Sequence, residues 1–232
     1  MSVMYKSATM ALLRAISSTP ARLKEHHPEM VAFLNAQGNP EAQGTGNKAT
    51  DQEGAFAQLA KTHGFRFWPK GTPPPAEDGL YMCYQIQGTQ KSGDFSLRKV
   101  IGGAVRADIV VDLKHTTSKN FYLNDGWFED NVYYIISWNE GTKGKPLQRA
   151  HIALGQDIPT EEEKVFMRQL HAFKAQTNKD NKTVGSLRPY IRFANQYSCA
   201  KFTRENDSEC LLRVLANVDV VAAEGVDEAA TA

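Results

Sequence analysis

The sequence predicts an α/β (α+β) protein in which helices flank a mixed central β-sheet. Apolar and polar residues alternate with a period of two from residue 80 to about 155, which is the pattern of half-buried strands. Helical periodicity, with apolar residues three or four positions apart, precedes and follows that region. There is no internal repeat, so this order of elements favours one sheet between helices.

The first 46 residues are predicted to form a helical segment that packs on the core or extends it. Two helices fit residues 4–36, and Ser17, Ser18 and Thr19 before Pro20 give the break between them. Residues 37–49 are rich in glycine and polar side chains, which predicts a loop. A third helix should then begin at Thr50 or Asp51 and run to about His63.

The core domain is predicted to span residues 47–215, with an acidic and disordered tail at 216–232. After the strands, a helix fits residues 160–177, opened by three glutamates that suit a helix N-terminus. A further helix is expected around residues 187–199, and LLRVLANVDVV resembles a last strand. The segments read as strands are LYMCYQIQ, DFSLRKVI, VRADIVVDLKH, NVYYIISW and AHIALG.

Composition excludes several classes of protein. Hydrophobic residues make up 41% of the chain and charged residues 23%, as in ordinary globular proteins, and no apolar run is long enough to span a membrane. The three cysteines show no paired spacing, which argues against a zinc site and for a reducing, cytoplasmic location. The net charge is only +1, but residues 164–213 carry ten Lys or Arg against four acids. This local charge of +6 could neutralise the phosphates of a nucleic acid.

Charged side chains interrupt the most apolar strand, VRADIVVDLKH. Because side chains alternate along a strand, Asp112 and Lys114 share one face, while the apolar residues between and before them cover the core. If DFSLRKVI pairs with this strand as a hairpin through Ile101-Gly102-Gly103, Asp94 comes close to Asp112. The pattern therefore predicts two carboxylates and one ammonium at a common point.

This trio suits metal-assisted phosphodiester hydrolysis. Mg²⁺ prefers oxygen ligands and is commonly held by one or two carboxylates together with a substrate phosphate, so Asp94 and Asp112 are candidate metal ligands, and the main-chain carbonyl of Leu113 could add a third. Lys114 could orient or deprotonate the attacking water and counter the charge of the transition state. The alternative is a structural salt bridge between Asp112 and Lys114 at the end of the sheet.

These residues resemble the PD-(D/E)xK nuclease superfamily. The resemblance is carried by Asp94, 17 intervening residues and Asp112-Leu113-Lys114, preceded by Gly88-Thr89-Gln90 in a lead-in similar to that of several type II restriction endonucleases. It covers about 85 of the 232 residues. One position departs from the pattern, because the proline of the motif is Gly93 here.

The resemblance implies a restriction-endonuclease-like fold, Mg²⁺-dependent hydrolysis of double-stranded DNA to 5′-phosphates, a short palindromic target and a homodimer acting in a restriction-modification system. It also gives Glu53 the place of the acid that such enzymes carry on an early helix, although a first-turn helix acid explains Glu53 equally well.

Candidate DNA-binding residues follow from their chemistry, since glutamine, lysine and arginine read base edges or meet phosphates. A polar loop and core packing are the plainer explanations for the same residues. The candidates are Gln87, Thr89, Gln90, Lys91, His115, Thr116, Thr117, Ser118, Lys119, Arg188, Arg192 and Asn195.

Two other functions remain open from the sequence. A repair or recombination nuclease of the same superfamily would cut according to DNA structure and not at a palindrome. A DNA-binding protein without catalysis would use the acid and lysine cluster only structurally.

Overall fold

The computed structural model describes residues 2–37, 48–85, 93–124, 127–142, 145–180 and 194–227. These residues form five α-helices and eight strands, with short 3₁₀ turns at Pro20–Lys24, Gly155–Asp157 and Cys199–Lys201. The helices are α1 (Ser2–Ser18), α2 (Pro28–Gln37), α3 (Asp51–Thr62), α4 (Glu161–Asp180) and α5 (Arg204–Asp227). The strands are β1 (Arg66–Phe67), β2 (Gly79–Tyr84), β3 (Phe95–Ile101), β4 (Ala104–Thr116), β5 (Asn120–Asn124), β6 (Val132–Thr142), β7 (Lys145–Leu154) and β8 (Ala194–Ser198).

The central sheet is mixed, with six strands in the order β1-β2-β3-β4-β6-β7. Strands β2, β3 and β4 form an antiparallel meander, β6 runs parallel to β4, and β7 returns antiparallel to β6. The predicted class, a mixed sheet flanked by helices, is confirmed. The hairpin between β3 and β4 was also predicted correctly, and it pairs Phe95 with Val111.

The main core lies between one face of the sheet and helices α1, α3 and α5. Strand β4 supplies Ile109 and Val111 to this core, as its alternating pattern predicted. Helix α1 packs in the same core through Leu12 and Ile16. Burying these side chains contributes about 2 kcal/mol each, so the N-terminal helix belongs to the main body of the described chain.

A second core covers the other face of the sheet at β6. Strands β5 and β8 pair into a small antiparallel sheet that packs against this face of β6. Phe121 and Tyr197 thereby belong to one buried cluster with Tyr134. The prediction of a helix around 187–199 is wrong at residues 194–198, which form β8, and the preceding residues 187–193 lie outside the described part. Pairing with β5, which the sequence analysis did not predict, accounts for the strand.

The predicted last strand, LLRVLANVDVV, is wrong, and the segment forms the middle of helix α5. Its β-branched valines favour strands locally. However, the buried residues Val214, Val218 and Ala222 lie four apart and pack on the main core, while Leu212 and Val220 stay exposed. Helical spacing of the buried set therefore outweighed strand propensity.

The predicted disordered tail also needs correction. Helix α5 continues without a break through residue 216 to Asp227, so residues 216–227 are helical, and Val218 and Ala222 pack in the main core. A polar contact fixes the start of this helix, where Asp207 accepts a 2.7 Å hydrogen bond from the buried His151 of β7.

Among the described residues, no helix is both long and apolar enough to cross a lipid bilayer.

Candidate active site

The hairpin of β3 and β4 places Asp94 beside the Asp112-Leu113-Lys114 tripeptide. Asp94 directly precedes β3, and the register that pairs Phe95 with Val111 carries Asp94 to the level of Asp112. Its carboxylate oxygen Oδ2 accepts a hydrogen bond of 2.7 Å from the amide of Leu113. Asp94 is therefore held by the backbone amide of Leu113, the residue between Asp112 and Lys114.

Asp112 and Lys114 form a close ion pair on one face of β4. The Nζ atom of Lys114 lies 2.9 Å from Oδ1 and 2.8 Å from Oδ2 of Asp112. Asp112 is only 3% exposed, while the lysine side chain keeps 28% of its surface open. A buried carboxylate requires such a partner, because leaving it unpaired costs several kcal/mol.

Negative charge accumulates around Asp94. Burial raises the pKa of its carboxyl well above the usual value, and the charges of Asp112 and Glu53 raise it further, whereas Lys114 and the Leu113 amide act in the opposite direction. Two acids thus act on Asp94 against one nearby ammonium. Such an excess of carboxylate is an environment in which a bound cation is stabilised.

The oxygen donors present are of the kind that Mg²⁺ takes. Two carboxylates, from Asp94 and Asp112, together with the carbonyl of Leu113 match a site in which substrate phosphate and water complete the shell. Within the residues that the structure describes, no group of three or more His, Cys, Asp or Glu side chains could hold a metal ion. These residues therefore fit a cation that the substrate phosphate and water also coordinate, and not a cation held by protein ligands alone.

Glu53 performs a structural task in addition to its effect on Asp94. Its Oε2 accepts from the Thr50 amide at 2.5 Å while the Thr50 hydroxyl accepts from the Glu53 amide, which completes a capping box at the start of α3. Its Oε1 accepts from the hydroxyl of Tyr84, at the end of β2. The sequence anticipated the helix cap, but it carried no signal for Tyr84.

We expect Glu53→Ala to lower the free energy of unfolding by about 1 kcal/mol relative to Glu53→Gln, because glutamine can still complete the capping box. Both variants remove the negative charge beside Asp94, so their difference reports the hydrogen bonds of this side chain, to the Thr50 amide and to Tyr84. Urea unfolding at neutral pH measures it. Equal stability of the two variants would show that neither hydrogen bond contributes.

A cleft of about 660 Å³ opens beside this cluster between α3, the 3₁₀ turn at Pro20–Lys24 and the ends of β3 and β4. Asp94, Glu53 and Leu113 line it. Asp112 and Lys114 are not among the described lining residues, because alternation along β4 puts them on the face opposite to Leu113 and His115. Asp94, which contacts the Leu113 amide, connects the ion pair with the cleft. The remaining described lining residues are Leu23, Lys24, Lys48, Thr50, Asp51, Gln52, Gln85 and His115.

His115 enters the cleft from the end of β4. Its Nδ1 lies 2.9 Å from the hydroxyl of Ser137 on β6, which also accepts from Gln52 of α3 at 3.0 Å. Burial lowers the pKa of His115, and the charge of Lys24 lowers it further. His115 is therefore oriented by Ser137, which Gln52 holds in turn, and the lowered pKa favours the neutral form of His115.

Of the other predicted DNA-binding residues, those that the structure describes do not line this cleft. The polar run Thr116–Lys119 folds into a tight turn in which the hydroxyls of Thr116 and Ser118 both donate to the carbonyl of Asn120. Asn195 lies in β8, paired with Leu123. Gln87, Thr89, Gln90, Lys91, Arg188 and Arg192 lie outside the described residues.

The basic region at residues 164–213 is partly neutralised by its own neighbours. Four of its described cations form ion pairs with acids, which reduces the charge available for a polyanion. The pairs are Lys164 with Glu161, Lys201 with Glu163, Arg204 with Glu140 and Arg213 with Asp157.

Lys24 and Lys48, which the sequence analysis missed, are instead the lysines that line the described cleft. They come from loops far from β4 in sequence, so no local pattern could have found them.

Comparisons with protein-family models, with curated proteins and with solved structures gave no match. The chemistry of the site therefore rests on its residues and their geometry.

Proposed function

We propose that this protein is a Mg²⁺-dependent nuclease of the PD-(D/E)xK type, specifically a type II restriction endonuclease that hydrolyses double-stranded DNA at a short site and leaves 5′-phosphates. The observation that carries the proposal is the 2.7 Å hydrogen bond from the Leu113 amide to Asp94. It brings the isolated aspartate to the acid-x-lysine tripeptide, which is the arrangement this chemistry needs.

Asp94, Asp112 and the carbonyl of Leu113 would hold the metal ion. When bound, Mg²⁺ would supply positive charge that stabilises the phosphodiester as it is attacked. Lys114 would orient the attacking water with its partly exposed ammonium and take up negative charge. Glu53 would tune the acidity of Asp94 through its own charge.

The DNA backbone would pass the strand ends at Asp94, which connects the Asp112–Lys114 pair with the cleft, and Lys24, Lys48 and His115 in the cleft would contact the neighbouring phosphates. Gln87, Thr89, Gln90 and Lys91 remain our candidates for base contacts. The cytoplasm is the proposed location, and the three cysteines, all free and buried, suit its reducing conditions.

Cutting both strands of a symmetric site requires two catalytic centres related by a two-fold axis. The described residues of one chain form one candidate centre, so a homodimer is part of the proposal.

A second candidate is a DNA-binding protein without catalysis. It is favoured by the burial of Asp112 and by the contact of Lys114 with both of its carboxylate oxygens, since this is also the geometry of a purely structural ion pair.

Incubation of the purified protein with supercoiled plasmid separates these functions. We expect discrete linear fragments with Mg²⁺ and intact plasmid with EDTA, because the cluster needs a cation to act. Cleavage restricted to nicked or branched DNA would instead identify a repair nuclease. Retarded DNA with no cleavage under either condition would support the binding protein and overturn the nuclease.

A further inference from the structure

A cysteine, a histidine and an aspartate come together where helix α5 packs against strand β7. Asp207 and Cys210 are three residues apart on α5, so they share one face of the helix, and His151 of β7 lies against that face. The Nδ1 atom of His151 is 2.7 Å from Oδ1 of Asp207, and the same imidazole interacts with the thiol of Cys210. An acid that orients a base, which in turn addresses a thiol, is an arrangement that activates a nucleophile.

His151 is held in one orientation by its surroundings. Its side chain is buried, and its ring stacks on Phe202 with the ring centres 4.1 Å apart. Asp207 also accepts a hydrogen bond from Arg149, which is paired with Glu140 as well. The imidazole is therefore fixed against a carboxylate that is itself fixed, and one of its sides is left for the thiol.

The thiol of Cys210 has a second cationic neighbour. The Nη2 atom of Arg213 lies 3.4 Å from Sγ of Cys210, and Nε of the same guanidinium lies 3.5 Å from Asp157. Cys210 itself is 4% exposed, but the side chain of Arg213 is 53% exposed. The sulfur is therefore covered on this side by a side chain that solvent reaches, which suits a small reagent and not a large substrate.

Both cationic neighbours favour the thiolate. Burial raises the pKa of the Cys210 thiol, but His151 and Arg213 together lower it by more, so it lies below the ordinary value. Burial lowers the pKa of His151, but Asp207 and Cys210 raise it by more. The two shifts act in the same sense, because each increases the share of the thiolate and imidazolium pair near neutral pH.

The other two cysteines are equally buried but have different neighbours. Cys83 and Cys199 are 2% and 3% exposed. Burial raises the pKa of Cys83 to about 12, although Arg98 acts against it, and it raises the pKa of Cys199 to about 11. No histidine is among the described groups that shift either pKa. The three thiols thus share their degree of burial, and the neighbouring charges distinguish Cys210.

We propose that Cys210 is a reactive thiol that hydrogen peroxide oxidises, with His151 as its proton carrier and Asp207 as the residue that orients His151. The thiolate sulfur attacks one oxygen of the peroxide and the O–O bond breaks. The departing hydroxide takes the proton of the imidazolium and becomes water. The sulfur is oxidised by two electrons to a sulfenic acid, and the peroxide is reduced. This cluster shares no residue with the candidate active site, so the proposal does not depend on the nuclease function.

Peroxide treatment of the full chain tests the proposal. Hydrogen peroxide is added together with dimedone, which traps sulfenic acids, and peptide mass spectrometry then measures the label on each cysteine. Cys210 should be labelled at least about tenfold faster than Cys83 or Cys199, because the rate follows the thiolate fraction. Equal labelling of the three cysteines, or no label on Cys210, would overturn the proposal. The same would follow if dilute urea accelerated all three labelling rates in parallel, since the thiols would then react only after unfolding.

The pH dependence of alkylation tests the roles of the neighbours. Iodoacetamide should modify Cys210 at a pH at which ordinary thiols react slowly, and His151→Gln should lower its rate at about pH 7 by about tenfold. Arg213→Gln, a change at an exposed side chain, should act in the same direction if His151→Gln does not fold by circular dichroism. Arg204→Gln is the matched control, since Arg204 is an exposed arginine on the same helix that pairs with Glu140; it should leave the rate unchanged. A pH profile unaltered by the folded variants would show that the cluster is purely structural.

Discussion

Lys114→Ala is expected to lower the rate of DNA cleavage by about 10²–10³-fold while DNA binding is retained. The ammonium is the one cation acting directly on the Asp94 and Asp112 pair within the described site, so its loss removes both the orienting group and the stabilising charge. Asp94→Ala and Asp112→Ala should have effects at least as large. Single-turnover cleavage of a linear DNA measures the rate, and fluorescence anisotropy measures binding.

Burial complicates the single substitutions. Removing Lys114 leaves Asp112 buried without a partner, which costs about 3–5 kcal/mol and could unfold a marginal protein. The double variant Asp112→Asn with Lys114→Gln keeps the shapes and removes both charges. It should remain folded by circular dichroism and still fail to cleave.

A matched control exists on the same strand. Asp108 lies four residues before Asp112, on the same face of β4, and forms a 2.9 Å ion pair with Arg98 of β3. Asp108 is more exposed than Asp112, at 31% against 4% of its side chain, and is not among the charges that act on Asp94. Asp108→Asn should therefore reduce cleavage little. Full activity in Lys114→Ala, or equal losses in the Asp108 and Asp112 variants, would remove the assignment of the site.

The sequence was informative wherever a local rule determined the structure. Glycines at 102 and 103 between two alternating segments predicted the β3–β4 hairpin, and with it the approach of Asp94 to Asp112. Thr50 and Asp51 as candidate N-caps predicted the start of α3, and Thr50 is the N-cap in the structure. In both cases the interaction joins residues close in sequence or constrained by one turn.

The sequence failed where distant packing decided the outcome. Helix α5 forms despite the strand propensity of its valines, because Val214 and Val218 pack in the main core when the segment is helical. Strand β8 exists because β5 pairs with it. The cleft depends on the 3₁₀ turn that carries Lys24, which lies next to β4 and β6 only in the folded chain. Alternation along β4 puts Asp112 and Lys114 on the face opposite to Leu113 and His115, but no local pattern could show that the cleft opens on the side of Leu113 and His115.

Gly93→Pro, which would restore the proline of the motif, is expected to destabilise this protein and abolish cleavage. Gly93 has a φ of +106°, whereas proline fixes φ near −65°. A Cβ atom at this position would also lie 2.5 Å from Cγ1 of Val110. Together the strain and the overlap should cost about 2–4 kcal/mol.

The loss of cleavage would follow from position as well as from stability. Gly93 directly precedes Asp94, so a forced change of φ would turn the carboxylate away from the Leu113 amide that now holds it. The structure therefore gives a reason for the departure at this position, because the chain approaches Asp94 by a path that only glycine adopts easily.

Urea unfolding and cleavage assays of Gly93→Ala, alone and combined with Val110→Ala, separate the two causes. The second substitution removes the overlapping methyl groups and leaves the strained φ, so it should recover only part of the lost stability. Complete recovery would mean that the overlap alone excludes a side chain here. A fully stable and active Gly93→Pro variant would show that Asp94 is reached by an ordinary extended backbone, and the positive φ would then have no part in forming the site.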